Sequence, residues 1–92
     1  MKKLLILLFS ILISFNSWGE TKYSYYDNGQ IMAEENYKDD KKDGKWTWWY
    51  ENGQKWAEGN YKDDKYDGKW TNWYENGQKR VEVNYKNGVI VD

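Results

Sequence analysis

One five-residue phrase stands three times in this chain at an interval of 24 residues: Tyr26-Asp27-Asn28-Gly29-Gln30, Tyr50-Glu51-Asn52-Gly53-Gln54 and Tyr74-Glu75-Asn76-Gly77-Gln78. Asn36-Tyr37-Lys38, Asn60-Tyr61-Lys62 and Asn84-Tyr85-Lys86 keep the same interval. Asp43-Gly44-Lys45-Trp46-Thr47 returns as Asp67-Gly68-Lys69-Trp70-Thr71. A fixed period of this size marks a stacked repeat, in which each unit buries its apolar surface only against its neighbours. Three units follow, at 20–43, 44–67 and 68–92. The first lacks a Gly-Lys-Trp opening and the third ends early at Asn87-Gly88, as suits the caps of a stack.

Each unit reads as a β-hairpin. Asn-Gly is the strongest short signal for a two-residue type I′ turn, because both residues tolerate positive φ. Trp, Tyr, Thr and Val on either side favour strands. Frequent Gly and Asn disfavour helix. Segments such as Lys62–Gly68 read as polar turns between hairpins. The expected fold is therefore all-β, an antiparallel meander of stacked hairpins.

A two-residue loop at Asn52-Gly53 predicts the pairs Glu51–Gln54, Tyr50–Lys55, Trp49–Trp56, Trp48–Ala57, Thr47–Glu58 and Trp46–Gly59. Alternation then places Trp46, Trp48, Tyr50, Ala57, Gly59 and Tyr61 on one packed face. The third unit adds Trp70, Asn72, Tyr74, Val81, Val83 and Tyr85 to that face, and the first adds Ser24, Tyr26, Ile31, Ala33 and Tyr37. The opposite face carries Thr47, Trp49, Trp56, Glu58, Thr71, Trp73, Arg80 and Glu82. One sheet of this length cannot hide all of these rings. Trp49, Trp56, Trp73 and Arg80 are the candidate binding residues, on a face that mixes aromatic and charged groups.

The first residues have another character. Lys2 and Lys3 precede an apolar run from Leu4 to Phe15, and Ser17-Trp18-Gly19 follows with small residues at its first and third places. This is the pattern of a secretory signal peptide, over residues 1–19, with an apolar run too short to span a membrane. Cleavage near Gly19 predicts an exported protein that is periplasmic, at the cell surface or secreted. The remaining chain has 12 basic and 15 acidic side chains.

Composition removes several classes of chemistry. There is no Cys, His or Pro among the 92 residues. A thiolate nucleophile, an imidazole base and the usual zinc ligand sets are absent with them. A formal net charge of -1 argues against gripping nucleic acid by its phosphates. Asp39–Gly44 and Asp63–Gly68 share the glycine spacing of a calcium loop, but Lys41 and Lys65 stand at a ligand place and Tyr50 and Tyr74 where a bidentate Glu is needed. Glu34, Glu58 and Glu82 recur at the period, yet equivalent positions on a ladder lie about 9 to 10 Å apart with no cleft, so cross-strand pairing with Thr or Lys is expected. The chain is read as non-enzymatic, with no cofactor and no metal.

Gly44 to Lys55, Glu58 to Asp63 and Asp67-Gly68 together resemble the MORN repeat variant of bacterial proteins. The resemblance spans nearly all of the chain after residue 20. It implies stacked β-hairpins in an elongated, twisted sheet, and a binding or scaffolding role with a protein partner, which includes a second copy of the chain. Members of the variant family often carry the label of antitoxin in a toxin–antitoxin pair, so an antitoxin or immunity protein is one alternative. Binding to a cell-wall glycan or a lipid surface through exposed aromatics is another.

Overall fold

The computed structural model describes residues 19–91, which form eight strands and no helix. The expected signal peptide falls on residues 1–19 and so, Gly19 apart, lies outside the described residues. The strands are β1 (Glu20–Tyr25), β2 (Ile31–Lys38), β3 (Lys41–Lys42), β4 (Gly44–Trp49), β5 (Lys55–Lys62), β6 (Lys65–Trp73), β7 (Lys79–Lys86) and β8 (Val89–Val91). All pairings are antiparallel, in the order β1-β2-β4-β5-β6-β7-β8, with the short β3 also on β2. The backbone spans 58 × 37 × 11 Å, a single layer of sheet.

The two kinds of connection differ from expectation. Asn28-Gly29, Asn52-Gly53 and Asn76-Gly77 are not two-residue type I′ turns. The three Asn residues keep negative φ, and only Gly29, Gly53 and Gly77 take φ of 89°, 90° and 91°. Gly53 N–H donates to Tyr50 C=O at 3.0 Å and Tyr50 N–H to Gln54 C=O at 2.8 Å. The loop is thus Glu51-Asn52-Gly53, a tight turn followed by a left-handed glycine. Positive φ at both central residues occurs instead at Asp39-Asp40, Asp63-Asp64 and Asn87-Gly88. These two-residue turns join Lys38 to Lys41, Lys62 to Lys65 and Lys86 to Val89. The segment from Lys65 to Gly68 is consequently strand, not connecting turn.

Pairing follows the expected register away from the loops. Trp46 faces Gly59, Thr47 faces Glu58 and Trp48 faces Ala57. Nearer the loop Trp49 faces Lys55, so Trp56 is an unpartnered bulge residue. The expected pairs Trp49–Trp56, Tyr50–Lys55 and Glu51–Gln54 do not form. The longer loop shifts the register by one residue, and the bulge shifts it back. Met32 and Arg80 hold the same bulge position in the other hairpins.

Both faces contribute buried side chains. Trp46 and Trp70 are 4% and 9% exposed on the aromatic face, with Ala33 and Ala57 buried beside them. Trp46 packs edge-on against Tyr37 and Tyr61, with ring centroids 5.3 and 5.0 Å away, so it touches the preceding hairpin and the partner strand of its own. Its indole Nε1 donates to Asn36 C=O at 2.8 Å, and that of Trp70 to Asn60 C=O at 2.9 Å. On the opposite face Thr47 is 1% exposed, so burial is not confined to the side expected to be packed. Tyr74 and Val81, expected in the core, are exposed.

Gly59 makes room for one of these rings. A Cβ added there would stand 2.1 Å from Cδ2 of Trp70. Gly59→Ala therefore displaces the indole, and we expect a loss of about 1–3 kcal/mol in urea unfolding, typical of an overpacked core.

Candidate functional site

The recurring Thr, Glu and Lys residues build a charge network on one face. Thr47 Oγ1 donates to Glu58 Oε2 at 2.9 Å. Lys55 Nζ reaches the same oxygen at 2.9 Å and Lys45 Nζ at 3.5 Å. One unit later Lys79 and Lys69 lie 3.3 and 3.4 Å from Glu82 Oε1. Burial pushes the Glu58 carboxyl up, but hydrogen bonds from Lys55 and Thr47 and the charges of Lys55 and Lys45 outweigh it, so the net shift is downward. The hydrogen bond from Lys79 leads in lowering Glu82, helped by the charge of Lys69. Both carboxylates stay ionised at neutral pH and serve as anchors for lysines. Two lysines per glutamate leave the patch locally positive.

Trp49 and Trp73 border this network and line one shallow recess with Lys55. Lys55 Nζ stands 5.9 Å from the Trp73 ring centroid, within cation–π reach. Both indoles are half-buried.

The other two candidates are elsewhere. The bulge turns Trp56 onto the aromatic face, where its ring lies edge-on to Trp48 at 5.8 Å. Trp56 is thus separated from Trp49 and Trp73, contrary to the expectation of a shared face. Arg80 occupies the equivalent bulge position one unit on and is exposed. The lysines at 45, 55, 69 and 79 were not singled out in the sequence, although each pair recurs at the 24-residue interval. Among the described residues no group of three or more Asp or Glu side chains is placed to hold a metal ion.

A further set of contacts ties unit to unit. Tyr26 Oη donates to Trp49 C=O at 2.6 Å and Tyr50 Oη to Trp73 C=O at 2.8 Å. Asn28 Nδ2 donates to Glu51 C=O at 3.2 Å and Asn52 Nδ2 to Glu75 C=O at 3.0 Å. The repeated Tyr and Asn thus act across the stack, the Tyr on the last strand residue before the next loop and the Asn on that loop itself.

The MORN repeat variant family matches the chain three times, at residues 21–39, 42–63 and 66–87. The chain belongs to this family. No curated protein and no solved structure matches it. MORN repeats are generally protein- or membrane-binding modules. The central MORN match, 42–63, takes in Lys42 and the whole β4–β5 hairpin.

Within that central MORN hairpin, burial pushes the Tyr61 hydroxyl up to about 12, with the neighbouring Tyr66 adding to the shift. An unfolded tyrosine ionises near pH ~10. The folded state therefore keeps a proton that the unfolded chain releases, and stability is complete below about pH 10 and falls as pH rises towards about 12. Urea midpoints measured across that window should decline in the wild type and decline less in Tyr61→Phe.

Proposed function

We propose that the chain is an exported, non-enzymatic MORN-repeat module that binds a protein partner through the Trp49–Trp73 face. The observation that carries this reading is the single-layer sheet, which leaves indoles and fixed charges on both sides open to a partner. Trp73 and its lysine neighbours suit that role. A half-buried aromatic ring supplies contact area at little entropic cost, and the surrounding Lys–Glu network arrives already paired. Partners with an acidic, aromatic-bearing surface fit the locally positive patch best.

A glycan partner is the second reading, favoured by the two indoles that share one recess. Quenching of tryptophan fluorescence by wall polysaccharide supports it, and an unchanged spectrum removes it.

Two measurements test the main reading. Mass spectrometry of the protein recovered from the envelope of expressing cells should find an N-terminus at Glu20. A partner captured from envelope extract should bind Trp73→Ala roughly tenfold or more weakly than wild type, with the unfolding midpoint little changed. Undiminished binding by Trp73→Ala sinks the assignment of this face.

A further inference from the structure

We infer that the two ends of the sheet are complementary, so that a second copy of this chain stacks head to tail as though it were the next repeat. This goes beyond the proposed binding face: the contact is made by the edges of the sheet rather than by Trp49 and Trp73, and its occupant is the chain itself.

Exposed apolar surface gathers at the ends. Val81 in β7 is 42% exposed, whereas its equivalents Ala33 and Ala57, each covered by a following unit, are 3% and 4% exposed. Tyr23 in β1 is 55% exposed, whereas its equivalents Thr47 and Thr71, each preceded by a unit, are 1% and 7% exposed. The end positions are thus those that an added neighbour would cover.

Hydrogen-bonding groups at the ends match in kind and place. Tyr26 and Tyr50 donate to backbone carbonyls of the following unit, as do Asn28 and Asn52. Tyr74 Oη and Asn76 Nδ2 are the next donors in each series and have no such acceptor among the described residues. The carbonyls of Tyr25 and Asp27, at the opposite end, are the counterparts of the acceptors at Trp49 and Glu51.

Register fixes how the ends would meet. Between units Ala33 pairs with Trp48 and Ala57 with Asn72. The next pair in the series is Val81 with Ser24 of a second copy, followed by Glu82 with Tyr23. Among the described residues β8 covers only Asn84–Lys86 on that edge of β7. It takes the place that β3 takes along β2, where β4 then begins at Gly44. β1 begins at Glu20, the equivalent of Gly44, and β8 ends at Val91, the equivalent of Asp43, so β1 of a second copy, its leader removed at Gly19 as proposed above, would continue past β8 as β4 continues past β3. Such a joint is heterologous and leaves both outer ends free, so it generates an open filament rather than a closed dimer.

The test uses cysteines, since the chain has none of its own. Directly opposed residues of antiparallel strands have Cα atoms about 4.5–5.5 Å apart, within disulfide range. The protein is expressed from its full reading frame and purified in the form the host leaves it. Ser24→Cys combined with Val81→Cys should give a ladder of covalent multimers on mild oxidation, and the shifted pair Ser24→Cys with Val83→Cys should not. Ser24 lies in β1 and Val81 in β7, with β2, β4, β5 and β6 between them, about 24 Å at the usual strand spacing, so one chain cannot close this bond within itself. Sedimentation of the wild type should show mass rising with concentration, and Tyr74→Phe with Asn76→Asp should weaken association at least roughly tenfold, as loss of two hydrogen bonds implies. A monomer at every concentration, or a ladder as strong from the shifted pair, overturns the inference. Partner capture that depends on Trp73, by a chain that stays monomeric, overturns it too while leaving the binding-module reading intact.

Discussion

The side chain of one asparagine per hairpin holds the architecture together. Asn52 Oδ1 accepts the Gln54 N–H at 2.9 Å and so closes its own loop. Its Nδ2 donates to Glu75 C=O, on the loop one unit ahead. Asn28 does both as well. A residue bound at once to its own turn and to the next ties loop shape to repeat spacing. The tyrosine two residues earlier adds a parallel link, from Tyr50 to Trp73. On the other margin of the ribbon each later two-residue turn bonds the strand just after the preceding one: Asp64 bonds both ways to the Lys42 backbone, and Gly88 N–H donates to Tyr66 C=O. Each hairpin is therefore clamped to its neighbour at both rims.

Between the rims the sheet has no second layer to lean on. An isolated hairpin is marginal in water. Here each large ring is shared by successive hairpins: Trp46 lies between Tyr37 and Tyr61, and Trp70 between Tyr61 and Tyr66. Lys42 adds its ammonium over both Trp46 and Tyr61 at about 5 Å. The reverse face depends on threonine and paired charges. Such a layer derives its stability from nearest-neighbour contacts, and the central hairpin has the most of them.

Much of this was legible in the sequence. The 24-residue interval carried the hairpins, their order and the pairs Trp46–Gly59, Thr47–Glu58 and Trp48–Ala57. The loops were misread because Asn-Gly serves two turns. It fits a two-residue loop with both residues left-handed, and equally a three-residue loop with only the glycine so. Conversely Asp63-Asp64, a poorer candidate for positive φ, adopts it because the flanking strands and the Lys42 backbone hold it there. The loop and the bulge cancel, which explains why the deep register came out right while Trp56 was assigned to the wrong side. Trp49 and Trp73 share a face as alternation demands, but the lysines around them gain meaning only through pairing in space.

That bulge sets one residue per hairpin outside the ladder of cross-strand partners. The position is filled by Met32, then Trp56, then Arg80. A thioether, an indole and a guanidinium succeed one another there. Because no strand partner constrains the choice, the identity of that residue is free to vary without disturbing the pleat. The molecule thus resembles a ruled line with one blank per interval, a place where an interval can differ from the next at no cost to the ruling.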